Sequence, residues 1–315
     1  MGPQHEQMIG QQLQEQQPQE YNPTLGDPQK DESTKEININ TGNIAKTLSE
    51  EQINGLSSKV EKGYKIDVIS MEPWLSKMKV AIDVAMQVQK DKTYPWPKAS
   101  NVKYPLLTVA AYQFNARSYP AILPGTRIAK ARVVGADPQS EKANRAARVS
   151  EHMSWQLLEE MEEWEPDMDM LLTVLPIMGC MFKKTYYSAS LRRQTSDLVF
   201  PQDFVVNYKA KSLARVPRMT HRIYLYPNEI HARVNQGVFL PTALDVLPTV
   251  EDDGQPDDEE APILFLEQHM NYDLDGDGYA EPWIVTVDAT NFNVLRVVPC
   301  YDEEEVERNG KGKIT

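Results

Sequence analysis

From Asn144 to Met161, apolar and small residues recur at steps of three and four (Ala147, Ser150, Ser154, Leu157, Leu158, Met161), while Glu151, Glu159, Glu160 and Glu163 fill much of the opposite side. This period gives a helix one buried stripe. Pro166 stands where a second helix begins, with Glu165, Asp167 and Asp169 at its positive N-terminal end. Leu171 to Met178 is apolar nearly all round, which predicts a helix buried in the core and ended by Gly179. Met181 to Tyr187 is rich in residues that suit a pleated, half-buried surface. The block therefore reads helix, helix, strand, with Trp155 and Trp164 expected to anchor the helices in the core.

Upstream, Ile53, Leu56 and Val60 mark a helix within Ile44 to Ile66, and Pro73 opens another, striped by Leu75, Met78, Ile82, Ala85 and Met86. A connection around Asp67 to Glu72 would pair these two antiparallel. Pro95 and Pro97 make Thr93 to Asn101 a rigid connector. Pro105 opens an apolar helix from Leu106 to Ser118, stopped by Pro120 and Pro124. Downstream, Leu198 to Asn207 reads as a strand interrupted by turn residues at Pro201 to Asp203, and Arg218 to Leu225 as another. Pro227 to Gln236 is a short helix closed by Gly237, and Ile263 to Met270 and Trp283 to Asp288 are strands. The fold class is α+β, with N-terminal helices followed by a mixed helix and antiparallel-strand region.

Composition adds three parts to this picture. Residues 1–40 are dominated by Gln, Glu, Pro and Asp and are expected to form a disordered arm; 41–192 is mainly helical; 193–315 is an α+β region with strands and acidic loops. The formal net charge of −13 argues against a surface that coats DNA. Cys180 and Cys300 lie far apart with no metal-ligand or disulfide spacing. No apolar run suffices for a bilayer and the start lacks a signal-peptide pattern, so a soluble product of the cytoplasm is expected. Glu251 to Glu260 is a strongly acidic run, either a solvated loop or a handle for a basic partner. His221 and His231 have no ligand-type neighbours at metal spacing and are read as packing or surface residues.

One stretch carries site chemistry. Asp273, Asp275 and Asp277, followed by Gly278 and Glu281, match the opening of a calcium loop, in which alternate carboxylates turn toward one centre. Ile284 stands where the loop's bidentate glutamate would be, and the flanks read as strands. Two readings follow: a cation held by Asp273, Asp275, Asp277 and Glu281 that staples the loop, or a plain Asp/Gly-rich hairpin turn. No catalytic residues and no obligatory cofactor are expected, with Ca²⁺ as the candidate ion.

The segments TYPWPKASNVKYPLL, QFNARSYPAIL, WQLLEEMEEWEPDMDMLLTVLPIMGCMFKKTYY, FPQDFVVNYKAKSLARVPRMTHRIYLYPNEI and HMNYDLDGDGYAEPWIVTVD resemble the portal proteins of tailed bacteriophages, and the resemblance runs in consistent order from about Thr93 to Leu295. The resemblance is greatest to the large portals of short-tailed phages and covers their N-terminal, wing part. It implies a non-enzymatic, homo-oligomeric ring, usually a dodecamer, at one capsid vertex. Such a ring is the head-to-tail connector through which terminase packages double-stranded DNA and through which the genome is ejected. The implied partners are the major capsid protein, the scaffolding protein, the terminase large subunit and tail adaptor proteins. The implied location is the virion, after assembly in the host cytoplasm, with no membrane. The family's stem, clip and crown are not recognisable in this sequence, so the chain is expected to end before them. A different class of function also fits the residues: a calcium-stabilised, non-enzymatic adaptor or scaffold protein binding through its Gln-rich arm. A packaging nuclease is disfavoured, because no cluster of acids with a Lys or His base stands out.

Overall fold

A computed structural model of the protein describes residues 41–88, 93–94, 96–97, 99–100, 103–125, 127–188, 191–246, 260–276 and 278–301. The expected arm at 1–40 and all of the acidic run except Glu260 lie outside the described residues, as does Asp277.

Five helices and seven strands make an α+β fold among the described residues: α1 (Glu50–Ala85), α2 (Leu106–Ile122), α3 (Glu141–Trp155), α4 (Trp164–Met178), β1 (Phe182–Ser188), β2 (Arg193–Val199), β3 (Phe204–Val205), β4 (Arg218–Leu225), α5 (Pro227–Asn235), β5 (Ile263–Tyr272), β6 (Glu281–Asp288) and β7 (Val294–Pro299). The centre is an antiparallel sheet in the order β3-β4-β5-β6-β7, and β1 and β2 form a separate hairpin. Its register pairs Arg218 with Met270, Leu225 with Ile263, and Tyr272 with Glu281. Successive side chains alternate between faces, so one face carries Leu266, Met270, Trp283, Val285 and Val297, which pack against Leu56 and Val60 of α1. The other face carries Ile263, Phe265 and Leu225, covered by Ile230 of α5 and by Phe239, Ala243 and Val246.

The antiparallel helix pair expected around Asp67 to Glu72 is instead one continuous 36-residue helix, α1. Its buried stripe, Leu56, Val60, Gly63, Asp67, Met71 and Met78, keeps helical phase straight through Pro73. Pro73 is exposed, as is Ile69, whose carbonyl loses its partner to the proline ring. Water reaches that carbonyl, and continuous packing on the sheet outweighs the proline's cost of about 3 kcal/mol. Ser49 caps the start through a reciprocal pair with Gln52.

The N-terminal approach to α1 is tied down by Asn43, a contact with no signal in the hydrophobic pattern. Its buried amide donates to the carbonyls of Val238 and Leu295 and accepts from the N–H groups of Ala45 and Val297. These bonds cover the outer edge of β7, which would otherwise offer unpaired backbone groups.

The helices between α1 and the sheet form a thin layer. α2 packs on α4, with Asn115 Nδ2 donating to Asp169 and Thr173 at 2.8 Å each. Leu172 alone is buried within α4, so the expected fully buried helix is half-buried: α1, α2 and the β1–β2 hairpin cover it only in part. α2 likewise runs two residues past Pro120, to Ile122. Trp155 is not a core anchor. It is 49% exposed and stacks on His152, while the inner face of α3 is lined by Ser150 and Ser154, which accept from the backbone N–H groups of Ala131 and Ala129. Small hydroxyl residues let that extended segment lie close against the helix; an indole there would hold it away. Trp164 is half-buried.

Candidate functional site

The acidic turn between β5 and β6 is built from its register. Pairing Tyr272 with Glu281 closes the hairpin so that Glu281 returns beside Asp273 and Asp275. One carboxylate oxygen from each of these three lies within 4.8 Å of the others. That span equals two opposite ligands on Ca²⁺ at about 2.4 Å, and all donors are hard oxygens, so the set fits a calcium ion. Gly276 and Gly278 adopt left-handed φ values of +76° and +89°, and their N–H groups donate to the two oxygens of Asp273 at 2.8 and 2.9 Å. Asp273 thus holds the two glycine N–H groups of the turn. Gln52 of α1 donates to the Leu274 carbonyl at 3.0 Å, fixing the turn to the core. Of the four residues expected as ligands, the structure brings Asp273, Asp275 and Glu281 together; Asp277 is outside the described residues. Ile284 stands at the motif's twelfth position, and it is the strand register that brings Glu281 in from the opposite side of the hairpin.

A second polar cluster was not legible in the sequence. On the α5 face of the sheet, Glu267 meets the Lys184 ammonium from β1 and lies 3.4 Å from His269 Nε2, and Cys300 Sγ lies 3.8 Å from His269 Nδ1. The thiol, imidazole and carboxylate stand in the order of a nucleophile, a base and an orienting group. Their electrostatics run the other way. Burial, and then the Glu267 carboxylate, push the Cys300 thiol above its ordinary value, opposite to the shift that activates a nucleophile. Burial also raises the Glu267 carboxyl, but the His269 hydrogen bond and the Lys184 charge outweigh it and hold the group down at about 2. Burial lowers His221, beside the same cluster, and the Lys184 charge adds to that, while the Glu267 carboxylate opposes it. The cluster joins the β1–β2 hairpin to the sheet as an ion network.

The third feature is the open face of the helical layer. Val80, Val84 and Met86 at the end of α1 and Leu106, Tyr112 and Phe114 of α2 are all exposed, whereas Ala111 is the single buried residue of α2. A cavity of about 510 Å³ lies between the two, lined by Val84, Val88, Tyr104, Leu106, Leu107 and Ala110. Exposed apolar residues gathered around the cavity, Val84, Val88, Tyr104 and Leu106, are what a site of association presents. No helix among the described residues is long and apolar enough to cross a membrane. Compared with known proteins, the chain matches no family model, and no curated protein matches it.

Proposed function

We propose that this protein is a structural, non-enzymatic subunit of the portal ring of a tailed-bacteriophage capsid. In this reading copies of the chain close into a ring at one capsid vertex of the virion and form part of the conduit for packaged and ejected double-stranded DNA. Terminase, the major capsid protein, the scaffolding protein and tail adaptors dock on it. The sequence resemblance supplies the family. The observation that carries the reading is the helical layer, whose apolar residues from Val80 to Phe114 have too few neighbours within one subunit to be covered. A lateral partner would bury them, and one heterologous contact repeated with the right rotation closes a ring. Negative-stain images of the purified chain test the proposal: ring particles are expected, and a field of isolated small particles would contradict it.

The carboxylate cluster at Asp273, Asp275 and Glu281 favours one further reading, a calcium-stabilised adaptor that works as a monomer or dimer. The same images distinguish it, because it predicts no rings with or without calcium.

A further inference from the structure

The segment between β3 and β4 carries three basic residues and no acid in an otherwise acidic chain. Lys209, Lys211 and Arg215 stand exposed within a few residues of one another, and no carboxylate pairs with any of them among the described residues. They line a cavity of about 370 Å³ whose floor is the Arg218–Asp67 ion pair. Asn207, Ala210, Lys211 and Ser212 also border an adjoining apolar cavity of about 250 Å³, walled by Met71, Trp74, Phe182 and Phe204. Together the two make a groove that is basic along one part and apolar along the next, suited to an acidic peptide with occasional apolar residues.

The chain contains one such peptide. Residues 251–260 carry seven carboxylates, with Val250 before them and Pro256 among them. The described residues that bracket this run, Val246 and Ile263, sit in the cluster with Leu225 on the α5 face. The groove is at the other end of β4, beyond Arg218, whose side chain meets Asp67 on the α1 face. Arg218 and Leu225 are seven residues apart on one strand, about 23 Å. From Val246, the chain as far as Asp253 spans about 25 Å when fully extended, so it would have to be pulled straight and also cross to the opposite face of the sheet to reach its own groove. A neighbouring copy faces neither demand.

We propose that the groove lined by Lys209, Lys211 and Arg215 receives the acidic segment 251–260 of a neighbouring copy of this chain. The basic end of one sheet meets the acidic end of the next, a head-to-tail contact. The inference rests on the ring reading, to whose apolar lateral contact it adds a charged one between the same neighbours. Charge opposition of this kind fixes partner and orientation, and it weakens with salt.

Two experiments test it. In the first, a labelled synthetic peptide spanning residues 247–262 is titrated, by fluorescence anisotropy, into the full chain whose own acids at 251–260 have been replaced by Asn and Gln. Binding that falls steeply with salt is expected, weakened about tenfold or more by Lys209→Glu, Lys211→Glu and Arg215→Glu together. No binding, binding indifferent to those substitutions, or preference of the groove for a DNA duplex over the peptide would overturn the proposal. In the second, the groove-reversed chain is mixed with a chain whose segment 251–260 is converted to Lys. Each alone is expected to stay dissociated and the mixture to assemble; a mixture that stays dissociated overturns the contact. A monomeric wild-type chain whose groove still binds the peptide would contradict the ring and leave the groove's specificity standing, so the two failures are separable.

Discussion

Arg218 grips Asp67 from two directions, Nε donating to one carboxylate oxygen at 2.7 Å and Nη2 to the other at 2.9 Å, and Asp67 is completely buried. The pair joins the middle of α1 to the start of β4, and Asn207 adds a third donor to the same carboxylate at 3.3 Å. Removing one partner strands the other charge. Asp67→Ala is expected to cost about 3–5 kcal/mol, while replacing both residues by Leu and Met costs much less, because neither charge is then left alone. Urea denaturation of the two variants checks this; equal losses would mean that the pair is not a unit.

Gly63 lies one turn from Asp67, and a Cβ there would stand 2.8 Å from Cδ and Nε of Arg218. Alanine in a helix interior ordinarily stabilises by about 1 kcal/mol over glycine. Here the clash moves an arginine pinned by its ion pair, so Gly63→Ala is expected to destabilise by about 1–3 kcal/mol. A rise in melting temperature would show that Arg218 yields without losing Asp67.

Acid should weaken the fold in two stages. His221 has a folded pKa below its ordinary 6.5, so the unfolded chain binds the extra proton first and stability falls as pH drops through that value. Glu267 is held at about 2 against an ordinary 4.5, so its contribution is whole above 4.5 and is lost as pH falls from there toward 2. Urea midpoints measured across this range should decline, and Glu267→Gln should flatten the lower stage while deepening the upper one, because the carboxylate it removes opposes the lowering of His221. An unchanged lower stage in that variant would exclude Glu267 as its source.

Calcium at the β5–β6 turn is testable by linkage. Bound ion stabilises the folded state by about 2.7 kcal/mol at a hundredfold excess over its dissociation constant. Calcium should therefore raise the melting temperature, and Asp275→Ala should lower it only when calcium is present. An equal effect of the substitution in chelator would leave the turn as a plain Asp/Gly-rich hairpin.

Much of this architecture could be read from the chain. The limits of β4 and α5, the glycine stop at Gly237 and the strands on either side of the acidic turn follow from period and turn chemistry, which are local. The errors share a cause in tertiary context. Pro73 signals a boundary locally, but an unbroken stripe from Leu56 to Met78 keeps α1 whole against the sheet. Trp155 signals burial, yet Ser154 holds the inner position because the segment through Ala129 and Ala131 needs a close approach and a hydrogen-bond acceptor. Asp273 and Asp275 were visible as a motif; Glu281 joins them for a reason the motif does not contain, the pairing of Tyr272 with Glu281. The Lys184, Glu267 and His269 network was illegible because Lys184 comes from β1, far in sequence from Glu267 and His269 on β5.

Leu106 is 69% exposed at the start of α2 and borders the open cavity, so a charge there disturbs little within one subunit. Leu106→Glu is expected to change the stability of the dissociated chain by no more than about 0.5 kcal/mol, read by urea denaturation, and to abolish assembly. Rings that form as before would place the lateral contact elsewhere.

The central claim, that these chains associate laterally into a closed ring, is tested most directly by the native mass of the purified protein, measured by light scattering on a size-separated sample. The account predicts one discrete species of about twelve subunits, each of 35.9 kDa, dissociating as salt is raised. A single species at the mass of one chain, unchanged with concentration and salt, would contradict it.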